Sequence, residues 1–276
     1  MLYTIDMNDL DAFEESFYHL NDFIFRGQSN SEWLLEPKLD RVLHNSKRNR
    51  YEKSTIEKAM IEKCQKNAQL YIELLPEKED YYSWFSLIQH YGGPTRFLDF
   101  SYSPYIALFF AINQTSSKNI ALWCINKTKI WQREVDYYKI EYPDNWFGNF
   151  RYKTTDIFNN LIFDRNKKSM NSILLLDQKV NHQRIAVQQG AFLTSMDENS
   201  EFEFCLNSFL DIKEKVADKL SSINIDKIRN SSIIKYVINE KYYKAIAYKL
   251  KMINITSESL FPGFEGFVKS IYMDIS

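Results

Sequence analysis

The chain predicts an α+β fold in which helices pack around a small curved sheet, mixed or antiparallel in its pairing. Three observations point there. Gly (7) and Pro (6) are scarce in 276 residues, so few breakers interrupt helices. Lys, Glu, Ile and Leu are plentiful and favour long helices. Short apolar runs bounded by turn residues supply only a limited set of strands.

The elements follow in order. Asp6-Met7-Asn8-Asp9 offers caps for a first helix through about His19, with Leu10, Phe13, Phe17 and Leu20 at helical spacing. Phe23 to Phe25 reads as a short strand that ends in the turn Gly27-Gln28-Ser29-Asn30-Ser31. Leu39 to Leu43 reads as a helical turn. Ser54-Thr55-Ile56-Glu57 reads as a capping box for a long helix, with Ile56, Met60, Cys64, Ala68, Tyr71 and Leu75 along one face, closed by Pro76. A second helix, about Asp80 to His90, stops at Gly92-Gly93-Pro94. Ser103-Pro104-Tyr105 starts the next, which runs to about Asn113.

Asn119 to Asn126 is the strongest strand pattern in the chain. Lys127 to Lys168 is polar, aromatic and poorly periodic, and reads as irregular structure with short helices. Ser172 to Leu176 reads as a strand, and Arg184 to Ser195 as a strand–turn–strand or an extended pair bent at Gly190. Phe202 to Leu206 alternates like an edge strand, with Leu210 to Leu220 a polar helix. Ile233 to Ile238 is a strand, Lys241 to Met252 a helix, and a last helix begins near Phe264. No internal repeat or domain boundary interrupts the chain.

Composition narrows the function. Hydrophobic residues make up 45% and charged residues 26%, ordinary globular values, while aromatics reach 16%. A net charge of −1 gives no global field for nucleic acid or an anionic membrane. Cys64, Cys124 and Cys205 are odd in number and widely spaced, which suits reduced thiols and a cytoplasmic setting. No CxxC or HxxxH spacing suggests a metal, and none is expected. The N-terminal residues lack a basic-then-apolar signal pattern. The longest apolar run, Tyr105 to Ile112, is too short to span a bilayer.

Three segments carry candidate chemistry. Phe25-Arg26-Gly27-Gln28 delivers a cation from the end of an apolar run. Arg26 would grip a phosphate or ribose in bidentate fashion, or pair with a structural carboxylate such as Asp99. Gly27 would let a ligand approach the backbone. Gln89-His90-Tyr91-Gly92-Gly93-Pro94-Thr95-Arg96-Phe97-Leu98-Asp99 aims Thr95, Arg96 and Asp99 past a turn, and Ser101 and Ser103 precede a helix N-terminus suited to an anion. His90 is either a ligand contact or a residue of the core. The third segment joins His182, Arg184, Gln188, Gln189 and Gly190. Gln188 does not titrate, and either hydrogen-bonds a ribose or stitches strand edges. The aromatics from Tyr137 to Phe150 are either base-stacking or core. No phosphate-binding glycine loop, dinucleotide fingerprint or nucleophile elbow is present.

At these residues the chain resembles the FRG-domain family. Phe25-Arg26-Gly27-Gln28 with Trp33 to Arg41 resembles its opening motif, and Gln89 to Ser101 with Ala107-Leu108-Phe109-Phe110-Ala111 its central signature. Arg184 to Phe192 and Leu260 to Gly266 are similar to two further motifs. Together these run from about residue 20 to 270, which implies a single FRG domain over 1–276. Phe97 and Phe100 replace the more usual Leu and Trp.

The family occurs in bacteria and phages, and its layout is similar to that of ADP-ribosyltransferases. The resemblance implies NAD as cofactor, with Arg26, Thr95 and Gln188 as catalytic candidates. Arg26, Gly27, Gln28, His90, Thr95, Arg96, Asp99, Ser101 and Arg184 are the implied cofactor contacts. A glutamate usual at the position of Gln188 is missing. The expected role is a nucleotide-binding effector, an ADP-ribosyltransferase or NAD-consuming enzyme of a defence or toxin system, with a protein partner such as an antitoxin. The rivals are a non-catalytic nucleotide or phage-component sensor and a nucleic-acid-binding or nuclease domain.

Overall fold

The computed structural model describes residues 1–47, 52–113, 115, 117–141, 154–163, 172–177, 183–220, 224–264 and 266–268. Its strands are β1 (Leu2–Met7), β2 (Phe23–Gln28), β3 (Leu98–Ser101), β4 (Asn119–Asn126), β5 (Ile173–Asp177), β6 (Gly190–Ser195), β7 (Lys215–Lys219) and β8 (Ile233–Asn239). They form one eight-stranded sheet in the order β5-β6-β3-β2-β4-β8-β1-β7. β1 pairs in parallel with β7 and β8, and the other pairings are antiparallel. The mixed class is as expected, but the sheet is large where a small one was expected.

The helices are α1 (Leu10–Ser16), α2 (Lys38–Asn45), α3 (Lys53–Asn67), α4 (Tyr81–His90), α5 (Pro104–Ile112), α6 (Lys127–Glu141), α7 (Thr154–Leu161), α8 (Gln183–Val187), α9 (Phe202–Phe209), α10 (Ile225–Asn230), α11 (Tyr243–Met252) and α12 (Ser257–Leu260). Asp9, Asp80 and Ser103 cap α1, α4 and α5 by accepting from backbone N–H groups, which satisfies donors a helix start leaves open.

Three apolar clusters place the helices. On one face of the sheet, Leu2, Ile24, Phe100, Trp123, Leu175 and Leu193 pack with α9 and with Ile130 of α6. The other face is divided. Phe25, Ile120, Leu122, Ile234 and Tyr236 pack under α1, α5 and α11, whereas Leu174, Leu176 and Phe192 pack under α3, α4 and α7. Between these two halves runs β3, whose outward residues there are Asp99 and Ser101. Two polar side chains at that position keep the halves from merging.

Several local expectations are corrected. β1 precedes the first helix, so Asp6 is in a strand, and Gly27 and Gln28 continue β2 instead of turning. The long helix fully buries Lys53, Glu57 and Ile61, while Met60 and Cys64 of the expected stripe pack half-buried beside them, and the helix ends at Asn67 before a short 3-10 turn. Its N-cap is Glu52, whose side chain makes no capping bond, and Ser54 already lies within the helix, so the Ser54 box is not formed. Residues 127–141 form a continuous helix where irregular structure was expected. Phe202–Phe209 is helical and Lys215–Lys219 extended, the reverse of the expectation, because Phe202, Cys205, Leu206 and Phe209 share a face at helical spacing. Arg184 lies on the short helix α8, so the third segment is helix–turn–strand. His182 and residues 142–150 of the aromatic stretch lie outside the described residues.

Candidate binding cleft

A cleft of about 300 Å³ opens above β3, where the two halves of the divided face part. β2 contributes Phe25, Arg26 and Gly27, α4 contributes Ser86, Gln89 and His90, and β3 contributes Asp99, Phe100 and Ser101. Arg184 and Gln188 reach it from α8 and the turn that follows, and Phe110 reaches it from α5. Thus Arg26, Gly27, His90, Asp99, Ser101, Arg184 and Gln188 are brought together from segments far apart in sequence. Thr95, Arg96 and Gln28 are not among the lining residues.

The cleft exists because β2 and β3 share a single register pair, Phe25↔Ser101, and then separate. The carbonyl of Asp99 would otherwise lack a ladder partner, and Arg26 supplies one by donating from Nη1 at 2.7 Å. The Asp99 carboxylate lies 4.0 Å from the same Nη1 and is 62% exposed, so it is a weak counterion. Arg26 Nε is buried and has no hydrogen-bond partner. Burial pushes the Arg26 pKa below its ordinary value; Asp99 opposes this and the charge of Arg41 adds to it. A cation held in this way gains from any anion that enters.

Gln89 is the site residue that the sequence reading did not single out. Its Nε2 donates to Asp99 Oδ2 at 2.9 Å, while its Oε1 accepts the hydroxyl of Thr95. Its place at i−1 from His90, one turn from Ser86 on α4, was the available signal. On the far side of β3, the hydroxyl of Ser101 donates to the Gln188 carbonyl at 2.8 Å and Tyr102 N–H donates to the Gln189 carbonyl at 2.9 Å. Gln188 Nε2 donates to the Leu260 carbonyl at 3.0 Å, and the Arg184 guanidinium stacks on Phe261 at 4.5 Å. The fourth motif therefore holds the third in place. Gln189 takes φ +46°, a left-handed conformation that turns the chain into β6.

Three of the expected site residues, Arg96, Thr95 and Gln28, do not line the cleft. Arg96 is fully buried, donating from Nε to Glu57 Oε1 at 2.7 Å and from Nη2 to Glu57 Oε2, and from Nη1 to the Ser195 carbonyl at 3.3 Å. Burial alone would lower its pKa, but the adjacent Glu57, with Glu198 and Asp40, raises it above the ordinary value. No phosphate reaches a guanidinium so enclosed. Thr95 is likewise buried, and its hydroxyl also accepts from Phe97 N–H at 3.2 Å. Gln28 donates to the Leu34 carbonyl at 2.9 Å and accepts from Trp123 Nε1 at 2.7 Å. Gly27 answers a packing need. A Cβ there would fall 1.9 Å from the Ala107 carbonyl oxygen, so its missing side chain admits α5, while the residue itself lines the cleft. Gln188, expected on a later strand, sits in the turn before β6.

Among the described residues no group of His, Cys, Asp and Glu is arranged to hold a metal, and no helix is long and apolar enough to cross a membrane. The molecule is a mixed sheet with helices on both faces and a cleft at the split between two strands. Within it, residues 21–120 match the family model of the FRG domain. The matched segment holds β2 through α5, with Arg26, His90 and Asp99. Arg184 and Gln188 lie beyond it. No curated protein and no solved structure matches the chain.

Proposed function

We propose that the cleft binds an anionic nucleotide, NAD or a close relative, with Arg26 and Arg184 against its phosphates and Gln188 Oε1 accepting a sugar hydroxyl. The observation that carries this reading is Arg26, a desolvated guanidinium whose Nε has no partner in a cleft with room for a small molecule. Phe25, Phe100, Phe110 and Phe192 give that cleft apolar surface for a flat ring. Isothermal titration with NAD tests it. Arg26→Met should weaken binding at least tenfold with little change in melting temperature, and wild-type protein that binds neither NAD nor ADP would overturn the reading.

Cleavage of NAD in the manner of an ADP-ribosyltransferase needs a carboxylate to stabilise the cationic sugar that forms as nicotinamide leaves. Asp99 is the carboxylate in the cleft lining, so it takes that role in the catalytic version of the proposal. Nicotinamide release that disappears in Asp99→Asn supports an enzyme. The amide of Gln188 is anchored on Leu260, which favours the alternative of a sensor whose C-terminal segment responds to the bound nucleotide. Binding of NAD without nicotinamide release selects it.

A further inference from the structure

Arg26, Gln89 and Asp99 also line a second cavity of about 180 Å³, completed by Lys38 and Arg41 of α2, Gly92, Gly93, Phe97 and Leu98. Three cations thus face one small space whose carboxylate, Asp99, is already engaged by Gln89. Lys38 Nζ donates to the Gly92 carbonyl at 2.5 Å, and Arg41 Nη1 donates to the Glu36 carbonyl at 2.9 Å. Among the described residues neither lies within 4.0 Å of a carboxylate. These carbonyl bonds restrict both side chains without bringing a carboxylate against either. Placing like charges around a cavity is unfavourable unless an anion shares it. The turn that builds the wall requires Gly92, at φ +76°, which a side chain would strain.

We propose that this cavity is an anion subsite for a further phosphate group of the ligand in the main cleft, with Arg26 bridging the two. The inference deepens the nucleotide reading and rests on it: the ligand is of the polyphosphorylated class, with a phosphate extending past Arg26 toward Lys38 and Arg41. Because Lys38 and Arg41 do not line the main cleft, they distinguish a ligand with the extra phosphate from one without it.

The test is titration of the full chain with ADP, ATP and inorganic pyrophosphate, for the wild type and for a Lys38→Ala/Arg41→Ala double variant. Both side chains are exposed, so the variant should fold, which its far-ultraviolet circular dichroism checks. The expected result is ATP at least tenfold tighter than ADP in the wild type, a preference lost in the double variant with ADP affinity within twofold. Equal affinities in the wild type, or equal weakening of both nucleotides in the variant, would overturn the subsite while leaving the main cleft intact. Should no nucleotide bind, the nucleotide reading fails separately. Pyrophosphate then decides: binding lost in the double variant keeps the anion subsite, and no binding by wild type removes it.

Discussion

Arg26 and Arg96 are delivered by the two segments that sequence inspection ranks highest, and they end in opposite circumstances. Arg96 enters the half of the molecule under α3 and α4, where Glu57 takes two of its nitrogens and Glu198 stands 3.8 Å away. Arg26 stops at the gap between β2 and β3, bonded to a carbonyl and close only to an exposed carboxylate. What separates them is the neighbouring helix face. α3 presents Lys53, Glu57 and Ile61 inward, and Lys53 pairs with buried Asp40 at 2.7 Å, so this half carries a charged layer of its own. Among the described residues no comparable buried acid lines the cleft beside Arg26. An arginine at a turn therefore reports a ligand only when the fold has not already supplied its anion.

The largest effect should come from breaking the sealed pair. Glu57→Gln or Arg96→Met leaves a buried charge without its partner, which costs about 3–5 kcal/mol. The midpoint of urea denaturation should fall accordingly. Replacing both, Glu57→Leu with Arg96→Met, should recover most of the loss, since well-packed apolar pairs replace buried ion pairs at little or no cost. Single variants within about 1 kcal/mol of wild type would return Arg96 to the list of ligand contacts. Next in size is Gly27→Ala beside Arg26. The added methyl meets the backbone of α5, and overpacking of this kind costs about 1–3 kcal/mol. The same denaturation experiment reads it, and an unchanged midpoint would mean that β2 and α5 separate more easily than their contact indicates.

The sequence carried the strands with two buried faces well. Asn119–Asn126 is an apolar run with no helical spacing, and the structure ends it at the same residues. α4 and α5 were equally legible, because Asp80, the Gly92-Gly93-Pro94 break, Ser103 and Pro104 mark their ends. Less legible were elements whose buried side is charged or whose pattern is short. α3 hides Glu57 in the core and leaves Met60 and Cys64 only half-buried, so its apolar stripe marks the edge of the buried face and not its centre. Phe202–Phe209 is too short for alternation and helical spacing to be told apart by eye. For the cleft, the residue types were visible, but which of them face it depends on the split between β2 and β3. No local pattern records a strand pair that lasts for one residue. Arg96 and Thr95 share a motif with Asp99 yet point away from the cleft, because the chain from Thr95 to Phe97 passes through the core before β3 begins.

Arg26→Lys keeps the charge but removes the planar fork, so it tests the open end of the comparison. Nucleotide affinity should drop about tenfold, or roughly 1.4 kcal/mol, with the denaturation midpoint unchanged. A variant that binds as wild type would mean that charge alone is read at this position.

Thr95 should give the smallest effect and the most instructive one, because it touches both regions. It is buried next to Arg96, yet its hydroxyl holds Gln89, which in turn holds the Asp99 carboxylate at the cleft. Thr95→Val removes that hydroxyl at nearly constant volume. It leaves Phe97 N–H without the side-chain acceptor, for about 1 kcal/mol of stability. If the chain from Thr95 through Gln89 to Asp99 positions the carboxylate, nucleotide affinity should also fall, by a factor of about 3 for a loosened hydrogen bond worth some 0.6 kcal/mol. Thr95→Ser, which restores the hydroxyl, should recover the affinity while remaining slightly less stable for want of a methyl group. Loss of stability in Thr95→Val with affinity untouched would show that Asp99 keeps its place without Gln89. The buried half of the molecule and the cleft would then be energetically separate, joined by sequence alone.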